Sequence, residues 1–498
     1  MQLSKTDFLE YLQCPKNFWL MKNEPESYVA REVTGFEQTK MDEGYEVERL
    51  ARSLFSGGTL VEGKLNEQLD KTRELIAQNK SPIFQATFLT DRSLLVKVDM
   101  LIYDKSSDCW NVYEVKSSTK VKTDRQRNHI KDVTFQKLTL EEAGTSVGEV
   151  FLVLLNSDFK KDGEININEL FQVANVTEDV NKALEITKSE INETVSFSKE
   201  EEIDRESCSC IYLSRPNHCS SFSVFNPKVP EYSVHNISRI RPDKIKNMVD
   251  SGIVRFEDIS DNVQLTKTQR LQVDLEISQS PLIDRGSIRE FLKDLEYPLY
   301  FFDYETYSSA IPIVDGFSPH QHLPFQVSIH LLNPKDNLQH FEFLAEKIDT
   351  ATSKLITFLK KVISSKGTIV SWHASFENSI NSKLADMYPE HRDFLLELNK
   401  RTFDLEKIFK GAYLHPGFRG RSSIKQVLPA LLPTFTYEDF VIKAGTEAME
   451  SWRKMIFDNI STVEKETIEK NLLDYCAMDT LAMVEIFRHL REIEAIGD

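Results

Sequence analysis

The run YFFDYET at residues 300–306 reads as a buried strand that delivers two carboxylates, Asp303 and Glu305, at its end. Strand side chains alternate between faces, so acids two apart point the same way. Two such acids are costly to hold together unless a cation sits between them, and Mg²⁺ suits one or two carboxylates plus substrate phosphates. Near the C-terminus, DYCAMDTLAMVEIF places Tyr475 and Asp479 four apart on a helix, and therefore on one face. Asp479 would complete the acid cluster while Tyr475 positions an attacking water. A further acid, Glu377, follows His373 and Phe376 in SWHASFENS, and Asp404 in TFDLEKIF reads as a helix cap. A second constellation lies upstream. Asp99 in LLVKVDMLIY and Glu114 and Lys116 in WNVYEVKSS fall on successive strands, and a hairpin-like connection brings Asp99 beside Glu114. Both carboxylates, with the Val115 carbonyl, suit Mg²⁺ or Mn²⁺, and Lys116 can orient water and offset phosphate charge. The expectation is two phosphodiester-cutting sites in one chain.

Basic side chains adjoin these motifs. Lys120, Lys122, Arg125 and Arg127 follow the first, and Arg419, Arg421 and Lys425 lie in HPGFRGRSSIKQVLP, where Ser422, Ser423 and Lys425 suit phosphate at a helix start. Arg239, Arg241, Lys244 and Lys246 form another short run. The net charge of −17, from 78 acids against 61 bases, excludes whole-surface attraction to nucleic acid and leaves local patches to do that work. Six cysteines in so long a chain suggest metal binding or burial rather than a disulfide framework. Cys14 stands early and Cys208, Cys210 and Cys219 stand late, whereas Cys109 and Cys476 fit no set and read as structural.

The elements that must position these residues follow from periodicity. With 498 residues, 40% of them hydrophobic and 28% charged, the chain calls for two or three soluble domains of α/β class. Residues 4–22 and 41–55 read as helices, 83–89, 94–103 and 110–116 as strands, 130–143 as a helix and 150–155 as a strand. Residues 160–207 are charged and read as mostly helical. The first domain is set at 1–226, a connector of short helices and turns at 227–290, and a second domain at 291–498. In the latter, strands at 297–303, 324–332 and 339–344 precede a helix at 350–365, a strand at 368–372 and a helix after Ser375, with a long helix at 463–494. No apolar run is long enough to span a bilayer and the N-terminus lacks a signal-peptide profile, so the expectation is a cytoplasmic protein without membrane contact.

The pattern of Asp99, Glu114 and Lys116 resembles the PD-(D/E)XK nucleases, in their RecB-like branch. That resemblance implies a restriction-endonuclease-like mixed sheet, an acid from the preceding helix (Glu48, with Glu46 as fallback) and a glutamine from the following one (Gln136). One early and three late cysteines resemble the iron–sulfur nucleases of that branch, where Cys14, Cys208, Cys210 and Cys219 would hold a 4Fe–4S cluster, or alternatively Zn²⁺. The Asp-x-Glu strand with the Tyr-x-x-x-Asp helix resembles the DEDD exonucleases on a ribonuclease H-like fold, which implies two metals at Asp303, Glu305, Glu377 and Asp479. The 415–429 segment resembles an uncharacterised domain family often attached to RecB-like nucleases. Together these imply a nuclease acting on DNA rather than RNA, in repair or in defence against foreign DNA. The alternative is a nucleic-acid-binding scaffold with one or both sites inactive.

Overall fold

A computed structural model describes residues 2–495, a mixed α/β chain that divides into two compact units. The first comprises Met1–Val229 with Ser309–His320, and the second Pro230–Ser308 with Gln321–Asp498.

In the first unit, strands β1 (Leu3–Ser4), β2 (Thr59–Leu60), β3 (Ile83–Leu89), β4 (Leu94–Asp104), β5 (Cys109–Lys116), β6 (Val147–Leu155) and β7 (Phe171–Asn175) form one mixed sheet. Its order is β2-β3-β4-β5-β6-β7, with β1 parallel to β4. β3, β4 and β5 run as an antiparallel meander, and the crossover helix His129–Glu142 returns the chain to make β6 parallel to β5. Val133 and Leu140 of that helix pack on Val98, Val112 and Leu152, and the other face of the sheet, with Met100, Val115 and Val153, meets Val47 and Ala51 of the helix Gly35–Ala51.

One irregularity matters for the site. Gln85 adopts a left-handed conformation (φ 57°) in the middle of β3, opposite Asp99. Ala86 and Val98 lie on one side of the sheet, whereas Phe84 and Met100, two residues further along each strand, lie on the other. The facing therefore flips at Gln85 and Asp99. A kink of this kind re-aims side chains.

The expected helix at 4–22 is two helices, Lys5–Gln13 and Pro15–Asn23, broken at an extended Cys14. Pro15 explains the break, because it disfavours helical geometry in the residue before it and is well placed to start a new helix. The expected helix at 41–55 is Gly35–Ala51, begun by a Thr34–Glu37 capping box. The charged stretch 160–207 holds strand β7 as well as the helix Thr177–Phe197.

In the second unit, β8 (Leu282–Ile283) pairs with β14 (Tyr413–Leu414), and the main sheet has the order β11-β10-β9-β12-β13. Its strands are β9 (Leu299–Tyr307), β10 (Leu323–Leu332), β11 (Leu338–Leu344), β12 (Thr368–Ser371) and β13 (Thr402–Asp404). β9, β10 and β11 are antiparallel, while β12 and β13 run parallel to β9. Tyr300, Phe302 and Tyr304 on one face pack on Leu355, Leu359, Ile380 and Leu384. The opposite face, which carries Phe301, Asp303 and Glu305, meets the long helix Thr462–Ala495, where Phe301 contacts Phe487. Residues read as a connector fall in this unit from Pro230 onward and pack a small core of their own around Ile245, Met248 and Val273. Among the described residues, no helix is long and apolar enough to cross a membrane.

Candidate functional site

In the second unit, strand alternation sends Asp303 and Glu305 away from the aromatic core, and the long helix supplies Tyr475 and Asp479 from above. Glu377 comes from the first turn of the helix Ser375–Met387, which follows β12. All five line one cavity of about 420 Å³, together with Trp372, His373, Glu406 and Lys425. Ligand atoms of Asp303, Glu305 and the buried Cys476 lie within 4.8 Å of one another, so Cys476, which the sequence left outside any set, belongs beside the acids.

Electrostatics show how crowded this cluster is. Burial, then the Asp479 and Glu305 carboxylates, hold Asp303 well above the ordinary carboxylate range. Burial and Asp479 push Glu305 up to about 8. Burial pushes Glu377 up to about 8 as well. Asp479 is also raised by burial, against the hydrogen bond that Tyr437 donates to its Oδ1 at 2.6 Å. Glu377 Oε2 is buried with no hydrogen-bond partner. An acid cluster with an orphaned carboxylate oxygen has the donor chemistry for Mg²⁺ or Mn²⁺.

Lys425 supplies the nearby positive charge. Its ammonium donates to the Tyr475 hydroxyl and to the Lys443 carbonyl, both at 2.6 Å, and sits 4.6 Å from the Tyr475 ring centre. The sequence placed Lys425 among nucleic-acid contacts; here it faces the cavity. Asp404 accepts hydrogen bonds from the His373 and Glu406 backbone N–H groups, the capping role expected of it. Glu406, missed in the sequence, accepts from Ser422 at 2.6 Å and pairs with His373 at 3.0 Å. Tyr437 was also missed; it lies in an irregular stretch without periodic signal.

In the first unit, the β4–β5 ladder ends at Met100 and Tyr113, and the next residues are Asp99 and Glu114. Asp99 Oδ2 accepts the Val115 N–H at 2.8 Å. Lys116 contacts Glu114 Oε1 at 2.7 Å and Asp132 Oδ2 at 2.6 Å. Gln136 donates to Glu114 Oε2 at 2.8 Å and to Asp132 Oδ1 at 2.9 Å, and its own Oε1 is buried without a partner. Glu48 joins through Gln85, whose amide donates to Glu48 Oε1 at 2.6 Å and to Asp99 Oδ1 at 3.2 Å. Arg52 also holds Glu48, at 2.6 Å. The fallback Glu46 instead pairs with Arg49 on the surface. Asp132, four residues before Gln136, could have been found by helical spacing. Lys5 carried no local signal, yet its ammonium lies 2.5 Å from Glu114 Oε1.

Charge here is nearly balanced. Burial works against the ionised form, yet Lys116 and Lys5 hold Glu114 and Asp132 below the usual range. Asp99 is raised, by burial first and then by Glu114. Its carboxylate oxygens keep lone pairs beyond those engaged, as does Glu114 Oε2, so this set also suits a hard dication.

Cys14, Cys208, Cys210 and Cys219 gather their sulfurs within 4.8 Å of one another, a donor set that fits Zn²⁺ or an iron–sulfur cluster. Hydrogen bonds with Cys14, the largest cause in each case, pull the Cys208 and Cys210 thiols down, while hydrogen bonds with Cys208 and with Cys14 push Cys14 and Cys219 up in turn, so the four sulfurs share their protons. Cys14 ends the helix Lys5–Gln13, and Asn17 accepts the Ser221 N–H at 3.1 Å, so the two ends of this unit meet at the sulfurs.

The basic residues are more dispersed. Lys120, Arg125 and Arg127 are exposed and Lys122 half-buried in the loop after β5, where the Arg125 guanidinium donates to the Gln13 carbonyl. Arg419 and Arg421 are exposed, with Arg419 lying over the Tyr232 ring at 5.6 Å. No curated protein matches the chain. Residues 300–423, which carry Asp303, Glu305 and Glu377, match the family model described as "Domain of unknown function (DUF2779)".

Proposed function

We propose that this protein is a metal-dependent nuclease that hydrolyses phosphodiesters, DNA first, at two separate sites. The observation that carries the reading is the convergence of Asp303, Glu305, Glu377, Tyr475 and Asp479 on one cavity from a strand and two helices. Antiparallel β11-β10-β9 followed by parallel β12 and β13 is the order expected of a ribonuclease H-like sheet, and the reading assigns this unit a DEDD-type exonuclease activity with 3′→5′ polarity. The first unit, with Asp99, Glu114, Lys116 and Gln136 around a β-meander and crossover helix, is assigned a RecB-like, restriction-endonuclease-like activity. Fold analogy supports this assignment only as far as the site residues do.

Each carboxylate set would hold Mg²⁺ or Mn²⁺, which when bound supplies charge neutralisation at the scissile phosphate and a more acidic water. The chain's own residues do the rest. Tyr475, fixed by Lys425, presents its hydroxyl toward the acids and orients the attacking water. Glu305 and Glu377, held up to about 8 without metal, keep protons near neutral pH that a bound cation would displace. Lys425 places one fixed positive charge where the phosphate's negative charge grows. In the first unit Lys116 does the same, while Gln136 and Asp132 lock Glu114 and the lysine in place. Exposed Lys120, Arg127, Arg419 and Arg421 offer contacts to the nucleic-acid backbone. A cytoplasmic setting and a role in repair or defence against foreign DNA belong to the same proposal.

A second reading is a nucleic-acid-binding protein in which the first site is silent. It draws on Glu114, both of whose oxygens already accept from lysine or glutamine. End-labelled single- and double-stranded DNA and RNA, incubated with Mg²⁺ or Mn²⁺, separate the two readings. Asp99→Asn and Asp303→Asn, made singly, should each remove one class of product by about a hundredfold or more. Cleavage lost only with Asp303→Asn identifies a single live site. Cleavage unchanged by either substitution ends both versions.

A further inference from the structure

The first site contains a cation that its motif does not explain. Lys5 Nζ lies 2.5 Å from Glu114 Oε1, the oxygen that Lys116 also contacts at 2.7 Å, and 3.5 Å from Asp132 Oδ1, whereas Lys116 holds Asp132 Oδ2 at 2.6 Å. Two ammonium groups thus bracket one pair of acids, while Gln136 bridges the same pair.

Lys5 reaches this place through elements that do not need its charge. β1 adds Leu3 and Ser4 to the edge of β4, Ser4 caps the following helix with Asp7, and Lys22 pairs with Asp7 at 2.7 Å. One turn on, Phe8 stacks on Phe135 at 5.1 Å, and Phe135 adjoins Gln136 in the sequence. These contacts already fasten the N-terminal helix to the crossover helix. An ion pair that is partly withdrawn from water contributes little net stability, because desolvation offsets the attraction. The Lys5 side chain is nevertheless 28% exposed, while its tip sits on the acids. An ammonium on a preorganised helix beside the expected metal-binding acids, at the end of a partly exposed side chain, is suited to a second negative group.

We propose that Lys5 is a second cationic residue of the first site, facing the same scissile phosphate as Lys116. In this arrangement Lys116 stays locked between Glu114 and Asp132. Lys5, with one hydrogen bond to these acids where Lys116 has two, transfers it to a non-bridging phosphate oxygen as negative charge builds there. The inference rests on the nuclease reading of this site.

The test uses the full chain carrying Asp303→Asn, which silences the second site, with Lys5→Met, Lys5→Arg or Asp99→Asn added. Methionine keeps the length and packing of the stem without the charge, and thermal melting checks that each variant folds. Single-turnover cleavage of labelled DNA in Mn²⁺ is measured across substrate concentration. The expected result is a fall of about tenfold to a hundredfold in the maximal rate for Lys5→Met, with half-saturation little changed and partial recovery in Lys5→Arg. Asp99→Asn abolishes cleavage in the same background. If Asp99→Asn abolishes cleavage while Lys5→Met cleaves at the parent rate, or loses rate only in proportion to unfolding, Lys5 is a structural ion pair and the proposal is overturned. If Asp99→Asn has no effect, the site reading falls and takes this inference with it.

Discussion

At Glu305 and Glu377 a proton and the proposed metal would compete for the same oxygens. Both groups are held up to about 8, burial first in each case, against a starting value of 4.5. The folded chain therefore keeps protons that the unfolded chain releases above its own value near 4.5. The contribution of these two groups to stability without metal is full below about 4.5 and is lost as pH rises toward 8, the sign set by more protons bound in the folded state. Thermal melting in EDTA should show the midpoint dropping across that window, and saturating Mn²⁺ should raise the midpoint most at the alkaline end. A midpoint that climbs with pH in EDTA would contradict the assignment. Tyr475→Phe removes one hydroxyl and keeps the ring over which Lys425 sits. It should cut cleavage by the second site about a hundredfold in rate while leaving substrate half-saturation nearly constant.

Elements decide how accurately these groups are aimed. β12 delivers the chain to Glu377, and it enters the sheet through Gly367, whose φ of 94° and close approach to Pro298 leave no room for a side chain. A Cβ there would meet the Pro298 carbonyl oxygen at 2.2 Å. Gly367→Ala should therefore destabilise the second unit by more than about 1 kcal/mol, read as a lower denaturation midpoint, and weaken Mn²⁺ binding there. Much of this framework could be read from the sequence because its signals are local. Alternation aimed Asp303 with Glu305 and Glu114 with Lys116, and helical spacing paired Tyr475 with Asp479. Other parts depend on contacts distant in sequence. Lys5 meets Glu114 across 109 positions, and Tyr437 reaches Asp479 across 42, from a stretch with no period. β7 escaped detection because its middle is exposed, with Gln172 and Val173 facing water, so it carries none of the apolar alternation that marks a buried strand. The left-handed Gln85, which turns Asp99, is invisible to any propensity argument. The break at Cys14, missed by the single helix read over 4–22, had a local signal in Pro15.

For the whole molecule, the two sites differ in charge and so should differ in their demand for metal. The second gathers Asp303, Glu305, Glu377 and Asp479 around one lysine, whereas Glu48, Asp99, Glu114 and Asp132 in the first are answered by Lys5, Lys116 and Arg52. Calorimetric titration with Mn²⁺ should find more ions bound by Asp99→Asn, which keeps the second site intact, than by Asp303→Asn. The cysteine centre is a separate matter of architecture. Cys219→Ser should lose bound zinc or iron and lower the melting point of the first unit, while cleavage assigned to the second unit continues. The central claim is that clustered carboxylates in each unit hold divalent cations against a scissile phosphate. Its most direct measurement is Mn²⁺-dependent cleavage of end-labelled DNA by wild type and by the Asp99→Asn/Asp303→Asn double variant, both shown to be folded. The account predicts robust cleavage by wild type and none above background by the double variant. Equal cleavage by the two, or none by wild type, would contradict it.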